Sequence, residues 1–409
     1  MANQLLTISM ITAESARVLG NNIVLGKTVN RDYDEDFAVK GAKIGQSTNV
    51  RKPARYKTRT GAVVDIQAQN ETWAPLTFVD PIGVDLAFTS QELTFSLDDF
   101  SSRVVKPSVV AIANQVDNLG FDLVKQAFNY VGAPGTAITA STARTAVLQA
   151  AANLYDNDAP VGGEDLHFIS GSSFNAVLSD SNSSLFNPMK EISEIYVKGM
   201  QGEFGGFKHY MDQLVPSHTA GTYTAKGTTL TTGSPQSGST LNTVGWTSGG
   251  TSLKAGDVFT LAGVYAVNPQ TKSAYSWLQP FTVTADISDT TGAIAALPIS
   301  PAIVGPGNPL QNVSALPATS VQINLVAASG NVSQQAIGFH RDAFMLANQE
   351  LVLPMGVERA DYVRDEQTKV GIRVVSQFDI RTNQHITRFD TMVAWATLYP
   401  QLCTRVFTN

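Results

Sequence analysis

Five histidines (His167, His209, His218, His340 and His385) and one cysteine, Cys403, are the chain's only imidazoles and thiol. They are scattered, and no two histidines stand at the short spacing that would make them joint metal ligands. A single cysteine allows no internal disulfide and no thiolate zinc cage. His340-Arg341-Asp342 has the letters that open a kinase catalytic loop, whose asparagine belongs five residues beyond the aspartate. That position is Ala347, with Asn348 one step late, and neither a glycine-rich nucleotide loop nor a DFG accompanies it. The glycine run at 199–207 (GMQGEFGGF) lacks the G-x-G-x-x-G spacing of a dinucleotide cradle, and the FKHYMDQLV that closes it reads as a strand, so these are turn glycines. Asp34, Glu35 and Asp36, like Asp98 and Asp99, have polar or charged neighbours and read as solvated or helix-capping carboxylates rather than acid–base pairs. The sequence predicts no catalytic residue, no metal and no cofactor.

The elements that would position any site come next. The chain has 409 residues, 43% of them hydrophobic, but only 15% charged, with a formal charge of -6. Disorder is excluded by that hydrophobic share, and the acidic balance does not suit a protein that coats nucleic acid. No apolar run approaches the ~18 residues of a membrane span, and residues 1–20 lack a basic region ahead of an apolar stretch, so a soluble intracellular chain is expected. Charge divides the sequence more sharply than any motif. Residues 219–331 carry six charged side chains in 113 positions, against 56 in the other 296. That segment is rich in Thr, Ser and Gly, with short β-type runs between turns, and it holds Trp246, Tyr275 and Trp277. A disordered linker seldom carries such aromatic surface, so an inserted small β-barrel or sandwich is expected.

Residues 8–25 read as a short helix. Residues 29–37 are acidic, and the next 26 reverse the sign with Lys40, Lys43, Arg51, Lys52, Arg55, Lys57 and Arg59 and no acid. Alternation through residue 95, with Val84, Leu86 and Phe88 on one face and Asp85 and Ala87 on the other, predicts a long, partly basic hairpin. Such a hairpin has too little core of its own and suits an assembly arm whose cations meet acidic patches on a neighbour. Pro107 then opens the clearest helix, in which Val109, Ile112, Val116, Leu119, Leu123, Ala127 and Tyr130 form one stripe over roughly 36 Å. A second, alanine-rich helix is expected over 142–155 with Val147, Leu148, Ala151 and Leu154 inward. Strands are expected at 166–170, 336–339, 351–353, 372–380 and 392–399. Helices in the first half and strands in the second predict an α+β fold.

Three stretches carry a resemblance. They are Val29-Asn30-Arg31-Asp32-Tyr33, the basic Val50-Arg51-Lys52-Pro53-Ala54-Arg55-Tyr56, and Phe88-Thr89-Ser90-Gln91-Glu92-Leu93-Thr94-Phe95-Ser96-Leu97-Asp98-Asp99-Phe100 leading into Pro107. On these the chain resembles tailed-bacteriophage major capsid proteins of the HK97 fold, in particular the P22-like coat proteins. The glycine run at 199–207 and Leu253-Lys254-Ala255-Gly256-Asp257-Val258-Phe259-Thr260-Leu261-Ala262-Gly263-Val264 are similar to that family's glycine-rich turn and to a strand pair of its insertion domain.

The resemblance implies an N-terminal arm at 1–30, a peripheral domain at 31–49 and 81–135 with a spine helix at 105–131, and an E-loop at 50–80. An A-domain with returning peripheral strands would occupy 136–218 and 332–409, split by the insertion domain at 219–331. It implies a non-enzymatic virion shell of pentamers and hexamers around double-stranded DNA, built in the host cytoplasm without sequence-specific DNA binding and without a membrane. A scaffolding protein and a portal would be further partners, and a decoration protein an optional one. No Lys/Asn/Glu crosslinking triad is identifiable, so the shell would be held without covalent bonds. Arg51, Lys52, Arg55, Lys57 and Arg59 would form inter-subunit salt bridges, and Val109, Ile112, Val116, Leu119 and Leu123 the spine packing. Two alternatives stand beside this reading. One is an encapsulin-like compartment. The other is a hydrolase or transferase with a carbohydrate-binding β-domain, in which Trp246, Tyr275 and Trp277 make the sugar platform.

Overall fold

The chain is mixed α and β: among the described residues all α-helices precede residue 183, and most strands follow residue 200. The computed structural model describes residues 8–32, 47–53, 56, 61–64, 66, 71–89, 105–160, 165–182, 202–224, 227–229, 235–289, 291–365 and 369–408. It separates into two units, one of residues 1–50, 73–120 and 344–396 and one of residues 51–72, 121–343 and 397–409. No described helix is long and apolar enough to cross a membrane.

The first unit carries α1 (Ile8–Asn22), α2 (Leu25–Thr28), β1 (Ser47–Lys52), β2 (Thr72–Phe78), β3 (Ile82–Thr89) and α3 (Lys106–Asp122). The chain later returns to it with β18 (Phe344–Gln349), β19 (Arg359–Arg364), β20 (Gly371–Asp379) and β21 (Gln384–Thr397). The fourteen-residue β21 organises the sheet, which runs β1-β2-β21-β20-β19 with β3 and β18 also paired to β21. Its first half pairs with β3 from Gln384↔Thr89 to Thr391↔Ile82, and its second half passes to β2 at Ala394↔Phe78 and Trp395↔Thr77. Thus β2 and β3 are successive strands along β21, joined through Val79–Pro81, and not the two legs of one hairpin. Pro81 has no N–H to give a ladder, which suits a break at that point. The expected alternation holds on β3: Val84 and Leu86 are half-buried while Asp85 and Ala87 are exposed.

Two expectations fail in this unit. The N-terminal segment is not a free arm over its described part. Ala16, Val18, Leu19, Ile23 and Leu25 are all buried, and α1 packs on β19 and β20. The spine helix is also shorter than 105–131. It ends at Asp122 and gives way to a 3-10 turn at Leu123–Gln126 and to β4 (Asn129–Val131). Seventeen residues span about 26 Å. Apolar residues continue at helical spacing beyond the true end, because the turn and strand need buried residues of their own: Val124, Ala127 and Phe128 are all inside. Gly120 sits where α3 comes closest to its neighbours; a Cβ there would lie 2.7 Å from Leu25 and 2.8 Å from the Trp395 indole.

The second unit adds to β4 the helices α4 (Ala140–Asp156) and α5 (Ser172–Asn182) and the strands β5 (Leu166–Ser170), β6 (Glu203–Phe204), β7 (Phe207–Met211), β8 (Ser217–Thr219), β17 (Val332–His340) and β22 (Cys403–Thr408). These strands form one sheet, β4-β22-β17-β5-β7-β6, with β8 on β17. All five residues of β5 are buried, the apolar Leu166, Phe168 and Ile169 together with the polar His167 and Ser170. The α4 helix opens on a capping box, with the Thr139 N–H donating to Thr142 Oγ1 at 3.0 Å. Its inner face is made of Ala143, Ala146, Val147, Ala150, Ala151 and Leu154; Leu148, expected inward, is 47% exposed. Gly205 and Gly206, both at positive φ, turn β6 into β7, while 199–201 lie outside the described residues.

Within the charge-poor segment are β9 (Thr228–Thr229), β10 (Gly238–Val244), β11 (Ser252–Leu253), β12 (Val258–Val267), β13 (Ala274–Val283), β14 (Ile287–Ser288), β15 (Ala293–Ile303) and β16 (Ile323–Leu325). Six of them form a sheet in the order β16-β12-β13-β15-β10-β9, and β11 pairs with β14. Leu241, Trp246, Phe259, Leu261, Phe281 and Leu297 centre a hydrophobic core drawn from this segment alone. Residues 351–353, expected as a strand, belong to none. They lie between β18 and β19, where Pro354 follows and Val352 is 85% exposed.

Candidate assembly surfaces

The basic segment leaves β1 through Arg51 and Lys52. Successive residues of a strand point to opposite faces, and these two cations differ accordingly. The Arg51 side chain is 82% exposed and meets Glu71 at 3.9 Å. Lys52 is half-buried, with its ammonium 5.4 Å from the centre of the Tyr399 ring, and burial lowers its pKa. Arg51 of this pair therefore stays largely exposed, while Lys52 is engaged within its own chain. Arg55, Lys57 and Arg59 lie outside the described residues, as do Tyr33 and most of the 88–100 stretch.

The same excursion carries apolar residues that a reading by charge passes over. Tyr56 is 63%, Val63 86%, Val64 70% and Ile66 89% exposed. Branched aliphatic side chains held in water forgo roughly 1.5–3 kcal/mol each relative to burial, which makes these residues candidates for contact with a partner. The signal in the sequence was Val63-Val64-x-Ile66, an apolar run with neither helical nor strand period.

The spine positions are internal packing. Val109, Ile112 and Val116 are buried, Leu119 is half-buried, and Leu123 falls in the 3-10 turn beyond the helix. The Trp395 indole N–H donates to the Val116 carbonyl at 3.1 Å, tying β21 to α3. Asp117, on the same helix, accepts N–H groups of Val24, Leu25 and Gly26 at 2.6, 3.2 and 3.0 Å, so a buried carboxylate fixes the start of α2. Elsewhere in this unit Arg373 makes a bidentate pair with Asp390 across β20 and β21 and donates to the Val352 carbonyl at 2.6 Å. Arg388 and Asp85 form an exposed counterpart across β21 and β3.

In the second unit the most buried charge is Arg405, on β22 and fully enclosed. Its Nη1 donates to the Gly256 carbonyl at 2.8 Å and to Gln335 Oε1 at 3.4 Å, and Nη2 to Thr282 Oγ1 at 3.2 Å. Burial lowers its pKa to about 10, with Asp257 acting in the opposite sense. Asp257 accepts from the Gly221 and Lys254 N–H groups and lies 2.9 Å from His218 Nε2. Burial pushes the neighbouring Cys403 thiol up to about 12, which leaves it inert.

Of the chemistry-bearing motifs, His340-Arg341-Asp342 lies among the described residues, while Asp34, Glu35, Asp36, Asp98 and Asp99 lie outside them. His340 is buried and its Nδ1 accepts the Asp342 N–H at 3.2 Å, a local turn contact. No cluster of His, Cys, Asp and Glu among the described residues could hold a metal. The three-ring sugar platform is overturned: Trp246 is 5% exposed in the β-core, its Nε1 donating to Thr243 Oγ1, while only Tyr275 and Trp277 stack together.

A family model, P22 coat protein - gene protein 5, matches residues 1–407. No curated protein matches the chain. Among solved structures, a chain of Mycobacterium phage Che8 is similar with a TM-score of 0.47 and 11% identity, over 94% of this chain and 90% of that one. The capsid structure of the cyanophage P-SCSP1u gives 0.46 and 10%, over 91% and 86%. The virus-like particle from Pyrococcus furiosus gives 0.39 and 8%, over 97% and 98%.

Proposed function

Because the chain belongs to the P22 coat protein family, phage coat proteins that form capsid shells and have a structural rather than an enzymatic role, we propose that it assembles as pentamers and hexamers of an icosahedral shell around double-stranded DNA. The plan is that of the HK97 fold, with the E-loop at 50–80 reaching a neighbouring subunit and the insertion domain at 219–331 carried on the A-domain. The shell closes without covalent crosslinks, first as a scaffolded procapsid with a portal, and expands by rigid-body rotation of domains. Residues 8–32 are not among the reaching elements, since Ala16, Val18, Leu19, Ile23, Leu25 and Val29 are buried in their own unit.

The observation that carries this reading is the outward display of Val63, Val64 and Ile66 in the same 50–80 segment as the exposed Arg51. A monomer gains nothing from such a surface, whereas a repeated assembly buries it at every copy. Weak contacts multiplied around a closed shell become collectively stable while each stays reversible enough to correct errors. The net charge of -6 agrees with a container that encloses DNA without gripping it.

Sedimentation velocity and negative-stain microscopy of the purified chain, with and without a scaffolding protein, test the proposal. Closed particles tens of nanometres across are expected. A monomer or small ring under every condition would overturn it.

A further inference from the structure

A cavity of about 560 Å³ opens in the second unit between the C-terminal turns of α4 and the strand β13. Its size lies within the range of roughly 300–1,000 Å³ usual for small-molecule sites. On one wall Trp277 lies flat against Tyr275, ring centres 4.1 Å apart and planes 13° from parallel. Tyr275 is itself fixed, since its hydroxyl donates to the Asp156 carbonyl at 3.2 Å and accepts from Asn268 Nδ2 at 2.9 Å. The indole is therefore held in one orientation while 43% exposed, an arrangement that water does not reward.

The end of α4 supplies acceptors to the same cavity. Asn153 donates its Nδ2 to the Tyr130 carbonyl at 3.2 Å, and Asn157 donates its own to the Asn153 carbonyl at 2.8 Å. Their amide nitrogens are used by the protein, while their Oδ1 atoms accept nothing from the described residues. Asp156, between them in sequence, also lines the cavity, and burial raises the pKa of its carboxyl. No Lys, Arg or His lines the cavity. A ligand matching these walls brings several hydrogen-bond donors, one flat apolar face and no negative charge. Phosphates, nucleic-acid backbone and carboxylates are thereby disfavoured, because nothing present would neutralise them.

From this we infer that the cavity is a carbohydrate-binding site for a neutral pyranose, which would lay its C–H face on Trp277 and donate hydroxyls to Asn153, Asp156 and Asn157. This differs from the three-ring platform excluded above, for it uses one indole and the acceptors of a helix end. The inference stands apart from the shell reading and survives or falls without it.

The test is titration calorimetry on the full-length unassembled chain with maltotriose, cellotriose, chitotriose and mannotriose, and with a sulfated trisaccharide as the anionic comparison. At least one neutral sugar is expected to bind with a Kd below about 10 mM, to weaken at least about tenfold in Trp277→Ala, and to recover partly in Trp277→Phe. Circular dichroism of both variants checks that they fold. No binding by any neutral sugar, binding indifferent to Trp277→Ala, or tighter binding of the sulfated sugar would each overturn the assignment.

Discussion

Arg405 Nη1 donates to the backbone carbonyl of Gly256 at 2.8 Å, joining the last strand of the chain to the turn that opens β12, 149 residues earlier. A fully buried guanidinium lowers its free energy only through such partners. Replacing Arg405 by Ala takes the guanidinium donor from the Gly256 carbonyl and Gln335 Oε1, leaves Thr282 Oγ1 with only its bond to the Lys125 carbonyl, and opens a cavity, a loss of about 3–5 kcal/mol. Urea unfolding of the unassembled chain measures it. Arg405→Met should cost less, because its chain refills the space, and Thr282→Val should add little on top of it. An unfolding midpoint unchanged in Arg405→Ala would show that the network contributes nothing.

The same bond decides what removal of the charge-poor segment would do. The segment begins and ends side by side: the Ala220 N–H donates to the Asn331 carbonyl at 2.8 Å and the Gly330 N–H to the Gly221 carbonyl at 3.1 Å. Excision of 222–328 therefore needs only a short link and takes a hydrophobic core with it. It also deletes Gly256, Asp257 and Thr282, leaving a buried cation with Gln335 alone. Insoluble protein is the expected result, with partial recovery of solubility when Arg405→Met is added. If the excised chain is soluble but its shells are defective, the segment's role is contact between capsomers and not support of the fold.

Local pattern was enough where an element answers only to its own residues. The run 166–170, with Leu166, Phe168 and Ile169 among its five residues, is a buried strand, and Val84, Asp85, Leu86 and Ala87 alternate as their types demand. The misreadings have distant causes. The stripe from Val109 to Tyr130 keeps helical spacing past the real helix end, because a 3-10 turn and a short strand bury side chains at similar intervals. Residues 351–353 look like a strand but find no pairing partner, and the arm expected at 1–30 looks free in the sequence because β19 and β20, which pack on α1, lie over 300 residues away. Arg405 in Cys403-Thr404-Arg405-Val406 reads as an ordinary surface residue. Its burial is set by Gly256 and Thr282, and nothing local announces it. For the assembly surface, charge drew the eye to Arg51 and Lys52, while the exposed Val63, Val64 and Ile66 were passed over.

Acid should loosen the second unit. His167 packs between the rings of Tyr210 and Phe339, each 5.8 Å away, and burial lowers its pKa to about 4, with Lys208, His340 and Arg341 acting in the same direction and Asp165 against it. Burial also lowers the pKa of His209. The unfolded chain, whose histidines titrate near ~6.5, then binds more protons than the folded one as pH drops below that value. Stability is thus full above about pH 6.5 and declines as pH falls toward 4, by at most about 1.4 kcal/mol per pH unit for each histidine. Urea midpoints taken from pH 7 to 4.5 should fall, and His167→Phe should flatten the decline. An identical slope in that variant would remove His167 from the account.

The assembly surface can be separated from folding because its apolar residues touch so little of their own chain. Val64 is 70% and Ile66 89% exposed, so Val64→Asp with Ile66→Asp should change the unfolding free energy of the unassembled chain by no more than about 0.5 kcal/mol. In a shell each would bring a carboxylate into a contact that excludes water, a cost of several kcal/mol repeated at every copy. The double variant should remain monomeric where the parent closes into particles. Reversal of Arg55 and Arg59 to Glu tests the electrostatic share of the same segment, and its effect should shrink at high salt, which screens exposed charges beyond ~10 Å or less. Normal particles from the aspartate variant would show that 53–70 faces no neighbour. Normal particles from the glutamate variant alone would leave the contact apolar in origin, with Arg51 and its neighbours serving solubility.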